Sequence, residues 1–380
     1  MSKSLRIALT YDSKADQIAR GCTEEEASAY ASTVLIDSVT QSLRRLGHDV
    51  IDVSHVRNLA RRLVAGEGED WDMVFNLCEG VSGNAKEVQV PALLEAYQIP
   101  YTFSDAACLA LAADKAKTKI ILQYHNIPTS PFFLVPYLEL TNTANEPTRL
   151  TELLKSILQK SGLELSEANP LFIKPSLEGG SNGIDHKNKL TSFRGLLDKV
   201  AYMHTRFPKQ DLLVEKFADG REFTAAIIGT GSKARVLGVL EFLRIRPTPA
   251  SEANPGLDSG ASTSAEDDVD FATYKVKSVA TAEFFEIVNV THEDSDEVRE
   301  VARIGLATFQ ALGGRDLGRI DIRSIGRGDK AQPQVLEINA ITGLRPDNSH
   351  VPILAEQEGL TYDELIADIV SQTMQRSGRQ

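Results

Sequence analysis

"VLEINAITG", residues 335–343, is an apolar run that carries a carboxylate and an amide two positions apart. Side chains alternate along a β-strand, so Glu337 and Asn339 project together while Leu336, Ile338 and Ala340 turn the other way. Two oxygen-bearing groups then point at one spot. The spacing alone is weak evidence, because Glu-x-Asn is expected about once per 400 residues at average usage, and it occurs three times here. Glu167/Asn169 and Glu252/Asn254 both sit in the word "SEANP", where Pro170 and Pro255 mark loops. Only Glu337/Asn339 lies in strand context. Just upstream, "LGRIDIRSI" (317–325) is joined to this run by the polar "GRGDKAQP", which reads as a hairpin with a loose loop. Neighbouring strands lie about 5 Å apart, so Asp321 can converge with Glu337 and Asn339. Three oxygen donors on one sheet face suit Mg²⁺, which keeps water and phosphate for the rest of its octahedron. The alternative is a pair of edge strands with a polar face turned to water.

The chain as a whole is that of a globular protein with two or three domains: 380 residues, 42% hydrophobic and 25% charged. A net charge of −12 argues against nucleic acid or an anionic membrane as partner. Cys22, Cys78 and Cys108 form no CxxC pair, which suits reduced thiols and a cytoplasmic location. The N-terminus reads as a first strand rather than a signal peptide, and no run approaches the ~20 apolar residues of a membrane span.

From the N-terminus, "LRIALTY", a helix from about Glu24 to Leu46, "HDVIDVS", a helix over Val56–Val64 and "DMVFNLCE" alternate as βαβ units do, which predicts a parallel sheet. A helix is expected to run through "AACLALAADKAKTKIILQYHN" until Ile127-Pro128 breaks it. The polar "LTNTANEPTRL" (140–150) looks like a boundary. Helices over 150–160 and 190–207 then alternate with the strands "LFIKPS" and "DLLVEKF", followed by "EFTAAIIG" and "ARVLGVLEFLR". The section from Pro247 to Asp270, rich in Pro, Gly, Ser and acid, reads as a mobile loop. A long helix (295–312), the hairpin and a terminal helix complete the chain.

Lys174 follows the apolar "LFI" and opens onto "SLEGGSNG", where Gly179, Gly180 and Gly183 let backbone N–H groups approach a phosphate. This is not a Walker A loop. Taken singly, Lys115 and Lys277 read as surface lysines, and Glu215 and Glu222 as solubilising groups at a strand exit.

The order of these pieces says more than any one of them. "DKAKTK", "FIKPSLEGGSNGI", "LLVEKFADGREFT", "GRIDIRS" and "VLEINAITG" together resemble the ATP-grasp superfamily, and within it the D-alanine–D-alanine ligase group, over about Leu5 to Ile369. The resemblance implies a mixed α/β ATP-grasp fold. Its parts would be an N-terminal parallel-sheet βαβ domain (1–112), a central lid (113–217) and an antiparallel-sheet catalytic domain (218–380) with a mobile loop about 247–270. It implies an ATP-dependent ligase that phosphorylates a carboxylate and lets an amine attack the acyl phosphate, releasing ADP and phosphate. Lys115, Lys174 and Lys277 would contact the ATP phosphates, with Gly180 and Ser181 in the loop above them. Glu215 and the backbone of Lys216, Phe217 and Ala218 would hold the adenine, and Glu222 the ribose. Asp321, Glu337 and Asn339 would bind two Mg²⁺ ions, with Mn²⁺ as a substitute. Arg319 and the N–H of Gly343 would neutralise the oxyanion.

Substrate positions depart from the group's pattern. Gly180-Ser181 stands where a serine pair is usual, Ser278 follows Lys277 where a tyrosine is usual, and the glutamate that greets the first amine has no clear counterpart: counting back from Gly47 places Tyr30 there, with Glu24, Glu25 and Glu26 within two turns. The histidine-glycine motif is replaced by "LCEGVSGN", and "LRPDNSH" replaces the segment that receives the second carboxylate, leaving Ser349 for that role and Arg345 as a cation close by. His350 reads as a helix-entry residue. The partners implied are a small acid and a small amine, with a homodimer as the assembly the relatives suggest. D-alanine–D-alanine ligase proper, or a silent nucleotide-binding relative, are the alternatives.

Overall fold

A computed structural model describes residues 4–24, 27, 30–143, 146–244 and 285–378. Lys277, Ser278 and the expected mobile loop at 247–270 lie outside the described residues.

The first strands, β1 (Arg6–Tyr11), β2 (Asp49–Asp52) and β3 (Met73–Leu77), form a parallel sheet in the order β2-β1-β3. The helix expected over Glu24–Leu46 is shorter, spanning Thr33–Arg45, because the Ser32 side chain accepts from Leu35 N and caps it there. A separate short helix, Lys14–Ala19, precedes it. The continuous helix expected up to Ile127-Pro128 is in fact two, Ala106–Ala112 and Lys115–Tyr124. Asp114 breaks it by taking an extended backbone and accepting from Ala116 N at 3.1 Å and Lys117 N at 3.0 Å. That break starts a new helix at Lys115 and sets its direction.

The second sheet is antiparallel: β4 (Phe132–Val135), β5 (Leu171–Pro175), β6 (Lys189–Leu190) and β7 (Leu212–Lys216), in the order β4-β7-β5-β6. Helices Pro147–Ser161 and Phe193–Arg206 cover it, burying Leu154, Leu196, Val200 and Met203 against Ile173 and Val214. The polar stretch 140–150, expected as a boundary, falls inside this unit, since β4 precedes it and the helix Pro147–Ser161 follows.

The third sheet is also antiparallel: β8 (Glu222–Ile228), β9 (Arg235–Arg244), β10 (Phe285–Asn289), β11 (Leu317–Ile325) and β12 (Gln332–Asn339), in the order β10-β9-β8-β11-β12. Its two faces divide by strand alternation. Phe223, Ala225 and Ile227 pack with Ile320 and Ile322 under the helix Asp296–Ala311. Gly305 lets that helix settle, since a Cβ there would stand 2.8 Å from the Ala225 Cβ. Ala226 and Ile228 face the other way and join Leu9, Phe75 and the C-terminal helix residues Leu365, Ile366 and Ile369 in one core. The first and third sheets therefore share a core through the helix Tyr362–Ser377.

Candidate active site

The face of the third sheet that carries Ala226 and Ile228 becomes polar toward the other end of β8 and β11. In register, Asp321 sits between Thr224 on β8 and Glu337 on β12, and Arg319 pairs with Asn339. The Asp321 carboxylate is fully engaged. Arg319 Nη2 donates to it at 3.1 Å, Asn339 Nδ2 donates at 3.2 Å, and the Thr224 hydroxyl donates closely to its other oxygen. Arg319 also reaches His350 Nδ1 at 2.9 Å from the first turn of the helix His350–Gln357, so His350 is indeed a helix-entry residue.

The alternation expected along β12 holds from Glu337 onward, with Ile338 and Ala340 buried. Leu336 departs from it. The register slips between Asp321 and Ile322, whose partners are Glu337 and Val335, so Leu336 is a bulged residue. A bulge re-aims a side chain, and Leu336 turns into the same cleft as Glu337 instead of the core.

That cleft lies between the second and third sheets. Its lining includes Lys115, Lys174, Ser181, Glu215, Lys216, Phe217, Ala218, Glu222, Asp321 and Glu337. Sequence reasoning did not single out Phe172, Asn182, Arg323 and Leu336, which line it too. Phe172 is a cross-strand partner of Glu215, and its ring lies 6.0 Å from that of Phe217. In the same cleft the Lys115 ammonium is 3.2 Å from Glu337 Oε2 and donates to Glu178 O at 2.5 Å. Over the top runs the glycine loop, with Gly180, Ser181 and Gly183 all at left-handed backbone angles, φ 58, 62 and 80°. At Gly183 a side chain is excluded twice over, by that angle and by the Phe207 ring 2.7 Å from where a Cβ would be.

Glu215 is buried between two lysines: Lys174 Nζ is 2.6 Å from Oε1 and Lys119 Nζ is 2.7 Å from Oε2. Burial alone would push the Glu215 carboxyl up, but Lys119 and Lys174 outweigh it and hold the group below the usual carboxylate range. Burial pulls the Lys119 ammonium down, against the opposing attraction of Glu215. Lys119 was missed in the sequence. The signal was its position four residues after Lys115 in "DKAKTK", one helical turn along.

Gly343 and Ser349 are in contact, since a Cβ on Gly343 would meet Ser349 Oγ at 2.7 Å. Ser349 Oγ accepts from Arg345 N at 3.0 Å, while the Arg345 guanidinium forms a two-pronged, largely exposed pair with Asp347 at 2.6 and 2.9 Å. Tyr30 lies apart from these, beside the first sheet, with Lys86 Nζ 3.5 Å from its hydroxyl and 4.8 Å from its ring centre. The segment that replaces the histidine-glycine motif folds here as well. Gly80 N donates to the buried Asp12 carboxylate at 2.8 Å. Burial, reinforced by the nearby Glu87 carboxylate, pushes Glu79 up to about 7. Burial raises Glu87 as well, against the opposing pull of Lys86 and Lys115.

Among the described residues no group of three His, Cys, Asp or Glu side chains could hold a metal. Asp321, Glu337 and the Asn339 amide still offer a hard-oxygen set on one face. Thr224, Arg319 and Lys115 already supply donors and positive charge to the two carboxylates, a demand a divalent cation would share. Two carboxylates cannot fill an octahedron.

Residues 132–371 match the family described as "D-ala D-ala ligase C-terminus". Over 338 residues the chain is 29% identical to a D-alanine–D-alanine ligase of Xylella fastidiosa, covering 89% of this chain and 92% of that protein. The fold matches that of D-alanine–D-alanine ligase from Bacillus anthracis complexed with ATP, with a TM-score of 0.65 at 18% identity and 99% of both chains covered. The corresponding ligase structure from Coxiella burnetii matches with a TM-score of 0.62 at 16% identity, covering 99% of this chain and 97% of that one.

Proposed function

We infer the function of this chain from its membership of the D-ala D-ala ligase family: it is an ATP-dependent carbon–nitrogen ligase that joins a carboxylate to an amine. The observation that carries the reading is one cleft lined both by Phe172, Phe217 and the buried Glu215 and by Lys115 beside the Asp321/Glu337 pair. A nucleotide fits such a cleft with its base beside the two rings and its phosphates beside Lys115.

The substrate carboxylate attacks the terminal phosphorus, the bond to ADP breaks, and an acyl phosphate forms. The amine then attacks the acyl carbon, phosphate leaves, and the amine nitrogen loses a proton to solvent. A carboxylate approaching a polyphosphate meets like-charge repulsion that fixed cations and oriented donors must offset. We assign Lys115 and Lys174 to the phosphates with Lys277 joining them, Gly180 and Ser181 to the loop that covers them, Glu215 and the Lys216–Ala218 backbone to the adenine, and Glu222 to the ribose. Arg319 and the Gly343 N–H are assigned to the oxyanion of the collapsing intermediate. Asp321, Glu337 and Asn339 would hold two Mg²⁺ ions, which when bound supply charge neutralisation at the transferring phosphoryl group.

Domain limits at 1–112, 113–217 and 218–380 accompany this reading, with the central unit as the lid. Tyr30, Ser278, Arg345 and Ser349 are assigned to the acid and amine, which are amino acids or close analogues. Three free cysteines suit a reducing compartment, in keeping with a cytoplasmic enzyme. Among the described residues no helix is long and apolar enough to cross a membrane.

Phosphate release measured with ATP, Mg²⁺ and a panel of D- and L-amino acids, singly and in pairs, tests the reading. ADP formation that depends on both an acid and an amine supports it. Turnover with D-alanine alone would narrow the function to D-alanine–D-alanine ligase, and ATP binding without turnover on any pair would defeat the ligase reading.

A further inference from the structure

Lys119 stands one turn beyond Lys115 on the helix Lys115–Tyr124, so both ammonium groups leave the helix on the side facing the cleft. Their circumstances differ. Lys115 lines the cleft, whereas Lys119 is fully buried behind it. The Lys119 ammonium is 2.7 Å from Glu215 Oε2, donates to Thr129 Oγ1 at 2.7 Å and to Ser130 O at 3.4 Å, and lies 5.6 Å from the Phe132 ring centre. Two of its protons go to Thr129 Oγ1 and Ser130 O, and Glu215 Oε2 stands beside it as an ion-pair partner. Thr129 in turn donates to Val335 O at 2.8 Å, which ties the arrangement to β12. Lys119 is fully buried and absent from the cleft's lining, so it acts on a ligand only through its neighbours.

Glu215 therefore carries two cations of unequal freedom. Lys174, 2.6 Å from Oε1, lines the cleft under the glycine loop and can turn toward an incoming polyphosphate. Once it does, Glu215 is a buried carboxylate whose charge must be balanced from inside or lost to a proton. Only Lys119 remains in contact to balance it. Glu215 Oε1, vacated by Lys174, is then an acceptor facing the apolar part of the cleft.

We propose that Lys119 is a positioning residue that keeps Glu215 ionised while Lys174 passes to the phosphates, so that Glu215 selects a nucleobase bearing an amino group over one bearing a carbonyl. The proposal rests on the reading of this cleft as the ATP site. It makes base selection and phosphate capture one exchange: Glu215 gives up one lysine and gains the amine.

The test is calorimetric binding of ATP and of inosine triphosphate, which carries a carbonyl in place of the adenine amino group, with Mg²⁺ from pH 6 to 9. Wild type, Lys119→Gln and Lys119→Arg are compared. Glutamine can still donate to Thr129 and Ser130 but carries no charge. Expected for Lys119→Gln is at least a tenfold loss of ATP affinity, a fall of at least tenfold in the preference for ATP, and ATP binding that strengthens with pH relative to wild type as Glu215 loses its proton. Lys119→Arg restores the preference. A folded Lys119→Gln with an unaltered ATP-to-inosine-triphosphate ratio and pH profile overturns the proposal, even if both nucleotides bind more weakly. Should Lys119→Gln fail to fold, Lys119→Arg decides: retained preference supports the role of the charge, and lost preference with intact overall binding overturns it. If wild type binds neither nucleotide, the ATP-site reading itself falls, and the role of Lys119 falls with it. Wild type that binds ATP beside an unchanged Lys119→Gln removes the role of Lys119 alone.

Discussion

Asp321 on β11 and Glu337 on β12 are direct cross-strand partners, and the bulge that follows them turns Leu336 into the cleft beside Glu337. Two carboxylates opposed in this way repel each other unless cations lie between or around them. Arg319 and Lys115 supply that charge in the protein alone. The pairing is thus costly in itself and makes sense as a receptor for positive charge.

Glu337→Gln is expected to lower kcat by a factor on the order of 10² or more, the scale seen when one electrostatic contact to a transition state is removed. The fold should persist, because Glu337 is partly exposed and glutamine keeps an oxygen that can accept from the Lys115 ammonium. Phosphate-release kinetics beside far-ultraviolet circular dichroism check this. Undiminished turnover in a folded variant would remove Glu337 from the metal-binding set.

Arg319→Lys keeps the charge but loses the planar fork that spans Asp321 and His350. Turnover should fall about tenfold to a hundredfold with ATP affinity nearly unchanged, since the oxyanion develops only during reaction. Equal losses in binding and turnover would point instead to a ground-state contact.

Asp316 is a structural hub, fully buried at the start of β11. It accepts from Phe103 N at 2.8 Å, Thr373 Oγ1 at 2.9 Å and Arg376 Nη2 at 2.8 Å, tying the first sheet and the C-terminal helix to the third sheet. Asp316→Ala leaves those donors unpaired and should destabilise by about 3–5 kcal/mol. Chemical denaturation measures it; a change below about 1 kcal/mol would show that water replaces the carboxylate without penalty.

Glu79 supplies a pH dependence. Burial, with Glu87 beside it, raises its carboxyl from 4.5 to about 7 in the folded protein, with Lys86 opposing and Asp12 adding to the rise. Between those values the folded state holds a proton that the unfolded chain releases, so stability is full below the lower value and falls as pH rises through the upper one. Glu79→Gln should therefore stabilise the protein at pH 8 and leave it nearly unchanged at pH 4.5. Denaturation midpoints at the two pH values decide it, and equal shifts at both would exclude titration of Glu79 as the cause.

The hairpin, the shared face of Glu337 and Asn339, and the helix Val56–Val64 were legible because each follows from a short-range period. The break at Asp114 was written in the sequence as an aspartate cap ahead of Lys115, a signal the expectation of one continuous helix passed over. Leu336 was misread for a different reason. Strand alternation carries no information about where a bulge falls, and that is set by pairing with β11.

By itself the amino-acid order determined most strands and helices and the hairpin that brings Asp321, Glu337 and Asn339 together, because periodicity and residue type act over a few positions. The tertiary structure alone decided that Lys119, Thr129 and Glu215 share one buried contact, that Asp316 binds Phe103, Thr373 and Arg376, and that Leu336 joins the cleft. Those contacts join segments far apart in the chain, and a buried charge finds its partner through the packing of whole sheets and helices, which no local pattern encodes.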